Sequence, residues 1–363
     1  MKIALVCTGL GNVWRGYERF TRDLFDLVKS DLNITLFKGG GKSEKSERIF
    51  PQLRHDAPIL RFFKTKRDPY FYQLLSYAAF LVPHLAMRRY DLVHYSEPAL
   101  GNILYHAKRR LGLKMKLLFS NGVGLPPELC TSATHIQELT DEYYNHALAY
   151  GIPESRMSRI PYGLHCSRFG KVQSKTELRE KYNIPRQKQV ILAVSAVNRT
   201  HKRVDYLIEE IAKLPPEFML VVCGKIDDPS IVELAEQRIH GRFRFFELPF
   251  EEVPEVYNLA DFFAHAALEE GFCLAIVEAM ASGLPVIAHN APHFKWLTGS
   301  DENLIDLSVP GTLSSKVLEL IRKRPALEPL IAKGREGAKN RFDWSVLKGS
   351  YLNMYEKCSV MPQ

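Results

Sequence analysis

Two carboxylates eight residues apart, Glu270 and Glu278, lie in the stretch EEGFCLAIVEAMASGLPVIAHN, residues 269–290. The first precedes a predicted helix, LAIVEAMASG, and the second lies about one turn inside it. The start of a helix offers free backbone N–H groups and the positive end of the dipole, which together bind a diphosphate. Carboxylates instead accept hydrogen bonds from hydroxyl groups. We therefore expect a diphosphate ligand with a sugar on one side and a ribose on the other. An ordinary acidic helix start is the alternative.

The residues between the first carboxylate and the helix are Gly271, Phe272 and Cys273, and the helix begins at Leu274. Glycine has no side chain, so the backbone at Gly271 can approach a ligand closely. The N–H groups near Cys273 and Leu274 are the donors that we expect to bind the diphosphate.

Basic side chains come together in the turn NRTHKR, residues 198–203, between the predicted strand QVILAVSA and a helix. Lys202 and Arg199 can neutralise a leaving diphosphate through charge-assisted hydrogen bonds. A solvated basic turn is the alternative, but the position between a strand and a helix favours binding. The chain has neither a D-x-D element nor the His/Cys spacing of a metal site, so we predict no metal and no cofactor.

The elements that must position these residues alternate between strands and helices. The chain begins with an apolar run that ends at Gly9 and Gly11, and an amphipathic helix starts near Gly16. A strand, a glycine loop and a helix form the first unit of a doubly wound domain. Further buried strands are predicted at NITLF, YDLVHYS, KMKLLFS and HIQEL, then at QVILAVSA, FMLVVCGK, FRFFEL, DFFAHAA and PVIAHN. The predicted fold class is α/β, with two Rossmann-like doubly wound domains that face a central cleft.

The positive charge is concentrated in the first half of the chain. Residues 1–165 contain 23 Lys and Arg against 15 Asp and Glu, the remainder is neutral, and the densest basic region includes RFFKTKR, residues 61–67. Basic groups mixed with Phe favour an anionic surface such as a membrane leaflet, with a solvated loop as the alternative. No recognition motif supports a nucleic-acid partner. The longest apolar stretch, residues 72–87, is too short to span a bilayer and is predicted as a core helix, with interfacial packing as the alternative.

The six cysteines are scattered without a CxxC pair, which is typical of free thiols in a reducing compartment. No signal-peptide pattern follows Met1. We therefore expect a cytoplasmic protein that makes peripheral contact with an anionic membrane through its basic N-terminal domain.

The stretch from Glu270 to Ala288 resembles the signature of retaining GT-B glycosyltransferases of the family 4 type, roughly E-G-F-G-x-x-x-x-E-A-x-A-x-G-x-P-V-I-A. Cys273 stands where the family usually has glycine. The resemblance implies that Glu270 meets the donor sugar and that Glu278 meets the nucleotide ribose. The matching residues are Glu270, Gly271, Phe272, Glu278, Ala279, Ala281, Gly283, Pro285, Val286, Ile287 and Ala288.

Other motifs of the same family have similar counterparts in the C-terminal half. AVSAVNRTHKRVDYLIEEI resembles the donor-phosphate loop, in which Lys202 matches the phosphate lysine. Ala196 occupies the position of the family arginine, and Arg199 is the nearest candidate to replace it. RIPYGLH resembles the interdomain element I-P-N-G-V-D, with Tyr162 for Asn and His165 for Asp.

In the N-terminal half, RGYERF resembles the glycine-rich first loop, although Arg15 replaces its first glycine. The loop from Gly9 to Gly16, with Gly11 and Gly16 as donor-binding residues, is expected to close over the donor phosphates. YDLVHYSEP resembles the D-V-V-H-x-H-x-P element and brings His94 and Glu97 towards the cleft. An isolated histidine there would more often be a core residue, but the family context favours contact with donor or acceptor. Glu97 and Asn121, which ends the next strand, are the acceptor-side candidates.

The resemblance also assigns the domains. We predict an N-terminal acceptor-side domain over residues 1–165, a linker over 166–186 and a C-terminal nucleotide-sugar-binding domain over 187–340. Residues 341–363 are predicted to form a terminal helix that crosses back to the N-terminal domain.

The predicted function is a retaining, metal-independent glycosyltransferase of the hexosyltransferase type, which moves a sugar from a nucleotide-diphosphate donor to a hydroxyl acceptor. Glu270, Lys202 and His94 are the predicted catalytic residues. Two alternatives remain: a GT-B sugar-nucleotide epimerase or hydrolase, and a non-catalytic GT-B scaffold module.

Overall fold

The computed structural model describes residues 1–13, 15–54, 57, 68–170 and 173–361. The chain divides into two units: unit 1 comprises Met1–Gly163 and Leu347–Gln363, and unit 2 comprises Leu164–Val346. The basic stretch RFFKTKR lies outside the described residues. None of the described helices combines the length and the apolar character needed to cross a bilayer.

Unit 1 is built on a parallel sheet of seven strands in the order β3-β2-β1-β4-β5-β6-β7. The two strands at the middle of this order, β4 and its neighbour β1, are buried along their whole length, as expected of strands with helices on both faces. The strands are β1 (Ile3–Cys7), β2 (Ile34–Lys38), β3 (Glu47–Ile49), β4 (Leu92–Tyr95), β5 (Lys116–Ser120), β6 (His135–Glu138) and β7 (Met157–Arg159).

Helices and short 3-10 turns connect these strands. The helices are α1 (Gly16–Val28), α2 (Pro69–Arg88), α3 (Pro98–Leu111) and α4 (Asp141–Tyr150), and the 3-10 turns are Pro127–Leu129 and Glu154–Arg156. Helix α2 begins where it does because the Asp68 carboxylate accepts the Tyr70 N–H at 2.8 Å and Pro69 occupies the first position. It ends at Arg89, which adopts a left-handed conformation with φ 50°.

Unit 2 is built on a second parallel sheet, of six strands in the order β10-β9-β8-β11-β12-β13. Its apolar core lies on β8, β9 and β11 and on the helices that cover them. The strands are β8 (Gln189–Val194), β9 (Phe218–Cys223), β10 (Phe243–Phe246), β11 (Phe262–Ala264), β12 (Val286–His289) and β13 (Leu304–Ile305).

Helices precede, connect and follow these six strands. Residues 166–186 contribute two of them, so this stretch is folded as part of unit 2. The helices are α5 (Cys166–Phe169), α6 (Lys175–Lys181), α7 (Val204–Ala212), α8 (Ser230–Ile239), α9 (Val253–Leu259), α10 (Leu274–Ser282), α11 (Pro292–Thr298), α12 (Thr312–Arg322) and α13 (Glu328–Phe342), with 3-10 turns at Phe250–Glu252 and Arg324–Leu327.

The last helix, α14 (Trp344–Val360), begins in unit 2 and continues into unit 1. Its start is fixed by Asp343, whose carboxylate accepts the Ser345 N–H at 2.9 Å. Further along, the Gln137 side-chain amide donates to the Tyr351 hydroxyl at 2.8 Å, and that hydroxyl donates to the Pro161 carbonyl at 2.8 Å. Residues of α14 from 347 onwards therefore pack into unit 1 as part of its core.

In each sheet the strand order reverses at one point, between β1 and β4 in unit 1 and between β8 and β11 in unit 2. Open α/β sheets bind ligands in the crevice outside the carboxyl ends of the strands at this point. The two doubly wound parallel sheets confirm the predicted fold class. A ligand site is therefore expected in the loops that follow β1, β4, β8 and β11.

Candidate active site

The loops that follow β8 and β11 bring Lys202 and Glu270 into direct contact at the reversal point of the unit 2 sheet. The Glu270 carboxylate also lies 2.9 Å from His265 Nε2 and 3.5 Å from His201 Nε2. The Glu270 side chain is only 10% exposed. A charged group is thus held at a place where ligands of this architecture bind.

The loop after β8 is folded by its own hydrogen bonds. The Asn198 side-chain oxygen accepts the Lys202 N–H at 2.9 Å and the His201 N–H at 3.2 Å. Arg203 adopts a left-handed conformation with φ 51°, which is uncommon outside glycine. Its guanidinium donates to the Ala266 carbonyl at 3.0 Å, on the loop after β11, so the two loops are joined to each other.

A close backbone contact between Gly224 and Ser195 supports the start of the same loop. A Cβ at Gly224 would lie 2.0 Å from the Ser195 carbonyl oxygen, so only glycine fits there. Ser195 directly follows β8, and its N–H bonds the Cys223 carbonyl at 3.0 Å. The β8 loop therefore leaves the sheet along a path fixed by β9.

The charges of the site stabilise one another. Burial alone would raise the pKa of the Glu270 carboxyl, but hydrogen bonds from His201 and His265, together with the positive charges of His265 and Lys202, hold it well below its usual range. Burial opposes protonation of His265, yet the neighbouring Cys273 sulfur and the Glu270 carboxylate raise the pKa of His265 to about 9. At neutral pH the site thus contains an ionised carboxylate between cationic groups.

Helix α10 begins at Leu274, directly after this loop, and Cys273 at its start makes no side-chain cap. The first N–H groups of a helix have no carbonyl partner within the helix, and here the Cys273 side chain does not cap them. The helix ends at Gly283, which adopts a left-handed conformation with φ 76°.

Glu278 lies on α10 and is buried, and the Tyr257 hydroxyl donates to its carboxylate at 2.5 Å. The structure therefore holds this carboxylate in place through α9, which carries Tyr257. Phe272 is buried with its ring against Phe342 and Trp296, at centroid distances of 5.8 and 6.3 Å. Phe272 fixes the loop by packing, and the half-buried Gly271 lies between it and Glu270.

Arg199 makes its contacts elsewhere. Its guanidinium lies 3.2 Å from the Asp228 carboxylate and 3.1 Å from the Ser230 hydroxyl, both beyond the end of β9. The structure therefore brings Lys202, but not Arg199, into contact with Glu270.

In unit 1, His94 is 1% exposed and sits between two protein partners. One ring nitrogen lies 2.6 Å from the Ser120 hydroxyl and the other 2.8 Å from the Tyr355 hydroxyl on α14. Burial lowers the pKa of His94 to about 3. This placement fits the core alternative, a neutral histidine that binds α14, rather than contact with a substrate.

The predicted acceptor-side residues are also buried in hydrogen-bond networks. Glu97 accepts from the Thr8 hydroxyl and, at 2.8 Å, from the Tyr70 hydroxyl, and burial raises the pKa of Glu97. Asn121 donates to the Glu138 carboxylate at 3.0 Å, and burial raises the pKa of Glu138 to about 7. These networks connect the ends of neighbouring strands at the carboxyl edge of the sheet.

The glycines of the first loop have separate structural roles. Gly11 adopts φ 88°, and a Cβ there would lie 2.2 Å from the backbone of Gly40. Gly16 is the first residue of α1, after Arg15, whose guanidinium pairs with Glu18 at 2.6 Å. The structure thus places Gly11 inside the loop after β1 and Gly16 directly after the end of that loop.

Sequence reasoning missed two participants in the site, His265 and His201. His265 directly follows β11, at the carboxyl end of a strand, and this position was a signal available in the sequence. His201 precedes Lys202 and is half exposed.

Comparisons with known proteins identify the fold. A sucrose-phosphate synthase from Thermosynechococcus elongatus has 18% sequence identity and a TM-score of 0.82, with 98% of each chain covered. HepE from Anabaena, solved in complex with UDP and glucose, has 16% identity and a TM-score of 0.78, with 98% of this chain and 99% of that chain covered. The fold is therefore GT-B, the two-domain fold of many glycosyltransferases.

Residues 174–337 match the family model described as glycosyl transferases group 1. This stretch belongs to that family, and the predicted family is confirmed. The O-antigen biosynthesis glycosyltransferase WclY of Escherichia coli is 28% identical over 184 residues, 50% of each chain. A GDP-mannose-dependent alpha-mannosyltransferase of Mycobacterium tuberculosis is 29% identical over 219 residues, 55% of this chain and 56% of that one. The chain thus spans about half the length of the curated relatives it matches.

Proposed function

We propose that this chain is a retaining glycosyltransferase that moves a sugar from a nucleoside-diphosphate donor to a hydroxyl acceptor without a metal ion. The contact between Lys202 and Glu270 at the reversal point of the unit 2 sheet is the observation that carries the proposal. A carboxylate for hydroxyls and an ammonium for phosphate stand side by side there, directly before the start of α10.

The donor occupies this place with its parts in a fixed order. Glu270 accepts hydrogen bonds from the sugar hydroxyls, Lys202 and the first N–H groups of α10 bind the diphosphate, and Glu278 accepts from the ribose. The name of the Mycobacterium tuberculosis relative states GDP-mannose dependence, and the HepE crystal contains UDP and glucose. Both support a nucleotide sugar as the donor class. The experiment below decides between guanine and uracil as the base of that donor.

The ion pair keeps Lys202 next to the place proposed for the donor. Lys202 balances the charge of Glu270, which is nearly buried. A diphosphate carries more negative charge than one carboxylate, so the ammonium on its flexible stem turns towards the phosphates when the donor binds. Glu270 is then released to accept hydrogen bonds from the sugar, while His265 keeps it ionised.

Bond breaking places negative charge on the departing diphosphate, and Lys202 together with the helix N–H groups stabilises that charge. The acceptor hydroxyl attacks from the same face and gives its proton to a donor phosphate oxygen, so the sugar keeps its anomeric configuration. The cations of the chain supply the stabilisation that a metal ion supplies in other enzymes.

A panel of UDP-, GDP- and ADP-sugars tests the proposal, with donor consumption and transfer to added acceptors measured for the wild type and for Glu270→Ala. We expect one donor to be consumed with an acceptor, and consumption to stop in the variant, while circular dichroism shows that the variant is still folded. Release or rearrangement of sugar without an acceptor would indicate a hydrolase or an epimerase. Absence of binding and turnover with every donor would indicate a scaffold module.

A surface of unit 1 supports peripheral contact of this cytoplasmic enzyme with an anionic membrane, consistent with its six free cysteines. Helix α2 buries one side in the core, but its outer side exposes Leu75, Phe80 and Met87, at 45%, 51% and 75%. Arg88 and Arg89 follow directly, and the neighbouring α3 ends in the basic residues Lys108, Arg109 and Arg110. Apolar side chains beside cations are typical of a helix that lies in the headgroup region.

Vesicle co-sedimentation tests this contact. We expect binding to vesicles that contain phosphatidylglycerol, weak binding to neutral ones, and loss of binding in Phe80→Ser/Met87→Ser. Val309→Ser in unit 2, where the side chain is 47% exposed, is the matched control and should bind like the wild type. Equal binding of all variants, or equal binding to both kinds of vesicle, would exclude this surface.

A further inference from the structure

A second ligand chemistry is built into the loop between β11 and α10. His265, Glu270 and Cys273 each offer one donor atom, and these three atoms lie within 4.8 Å of one another. The glycosyl transfer proposed above uses neither the thiol nor the imidazole as a ligand. An imidazole nitrogen, a carboxylate oxygen and a thiolate sulfur together form a donor set that zinc prefers, and the protonated His265 ring releases its proton when the ion binds.

Two of the three distances between the donor atoms can be compared with those of a tetrahedral zinc site. A zinc ion with a Zn–S bond of about 2.3 Å and a Zn–N bond of about 2.0 Å holds sulfur and nitrogen about 3.5 Å apart. Cys273 Sγ and His265 Nε2 are 3.5 Å apart. His265 Nε2 and Glu270 Oε1 are 2.9 Å apart, so the carboxylate needs to retreat by a few tenths of an ångström from the spacing of about 3.3 Å in such a tetrahedron.

The surrounding elements hold the donor atoms close to this arrangement. His265 directly follows β11 and is 5% exposed, and its ring packs against Phe294 at a centroid distance of 5.9 Å. Cys273 immediately precedes α10 and is half buried. Three protein ligands leave the fourth tetrahedral position for water.

We propose that His265, Glu270 and Cys273 form a binding site for Zn²⁺, and that the ion and Lys202 compete for Glu270. The competition follows from the geometry, because Lys202 Nζ contacts Glu270 Oε1, the oxygen that also faces His265. An ammonium and a dication cannot share one carboxylate oxygen without strong repulsion. Zinc binding therefore displaces Lys202, and magnesium, which prefers oxygen ligands, does not replace zinc there.

Cobalt titration of the metal-free protein tests the site directly, because a cobalt–thiolate bond produces a charge-transfer absorption in the near ultraviolet. We expect one equivalent of Co²⁺ to give this band, Zn²⁺ to remove it, and excess Mg²⁺ to leave it unchanged. Cys273→Ser and His265→Gln should lose the band, with circular dichroism showing that each variant is folded. Cys166→Ser, which changes another half-buried thiol of unit 2, is the matched control and should retain it.

Lys202→Gln provides a readout that a merely structural cluster would not give. Removing the competing ammonium should tighten cobalt binding about tenfold. The proposal is overturned if the wild type shows no charge-transfer band, if the band persists in Cys273→Ser, or if Lys202→Gln binds cobalt more weakly.

Inhibition by zinc is a consequence that rests on the proposed function, since displaced Lys202 and engaged Glu270 can no longer bind the donor. With the consumed nucleotide sugar, we expect Zn²⁺ to raise the apparent KM for the donor. The cobalt band is measured without a nucleotide sugar, so failure of glycosyl transfer and failure of the metal site are separate results.

Discussion

Replacing Lys202 with Met is expected to remove most of the glycosyl transfer while leaving unit 2 folded. Methionine keeps an unbranched side chain of similar length but lacks the charge. The Lys202 side chain is 22% exposed, and its partner Glu270 keeps His265 as a second cationic neighbour. A partly exposed ion pair contributes about 1 kcal/mol, so the free energy of unfolding should fall by no more than about that amount.

The effect on the reaction should be much larger. In the proposed reaction, the ammonium binds the diphosphate most strongly when its charge develops in the transition state, and one such donor contributes about 3–4 kcal/mol. We therefore expect kcat to fall roughly 100- to 1,000-fold. The KM for the donor should rise less, since the helix N–H groups still bind the ground-state diphosphate.

The assay measures initial rates over a range of donor concentrations, together with urea unfolding of the same preparations. Lys295→Met is the matched control, because Lys295 on α11 forms an exposed ion pair with Asp301 at 2.6 Å. The control should keep the rate of the wild type. A Lys202→Met enzyme with a rate within threefold of the wild type would refute the role assigned to this ammonium. A rate loss that tracks the loss of stability would refute it as well.

Three further predictions concern the scaffold. Burial raises the pKa of Glu138 from 4.5 to about 7, so the stability that its neutral form contributes is present below pH 4.5 and is lost as the pH rises through 7. In urea unfolding between pH 4.5 and 8, Glu138→Gln should reduce this decline in the free energy of unfolding by about 2–3 kcal/mol. Asp261→Ala leaves the buried Arg179 without the carboxylate that it contacts at 2.6 Å. The free energy of unfolding should therefore fall by about 3–5 kcal/mol, and a fall below about 1 kcal/mol would contradict this prediction. Gly224→Ala forces a methyl group against the Ser195 carbonyl and should weaken donor binding in calorimetry as well as stability, and unchanged affinity would show that the β8 loop does not depend on this contact.

The sequence predicted the long central strands because burial on both faces produces continuous apolar runs. It missed β3, β7 and β13, which have only three, three and two residues. Periodicity cannot identify elements so short, and their pairing depends on the neighbouring strand rather than on their own residues. The strand order likewise depends on crossovers between distant segments.

For the candidate site, the spacing of Glu270 and Glu278 around a helix start was readable locally. The contact between Lys202 and Glu270 joins residues 68 positions apart, so only the fold reveals it. For His94, the sequence favoured a role that its surroundings in the fold do not support. Its position at a strand end and the family resemblance both favoured a substrate contact, but α14, 261 residues later at Tyr355, occupies its ring nitrogen.

The division of the chain between the units has a consequence for synthesis on the ribosome. Unit 2 is one continuous segment, Leu164–Val346, whereas unit 1 lacks part of its core until residues 347–363 have been made. Until then Gln137 and His94 lack Tyr351 and Tyr355 as hydrogen-bond partners. Domains usually fold in the order in which they emerge. In this chain the unit that begins first is therefore completed only after unit 2 has been made.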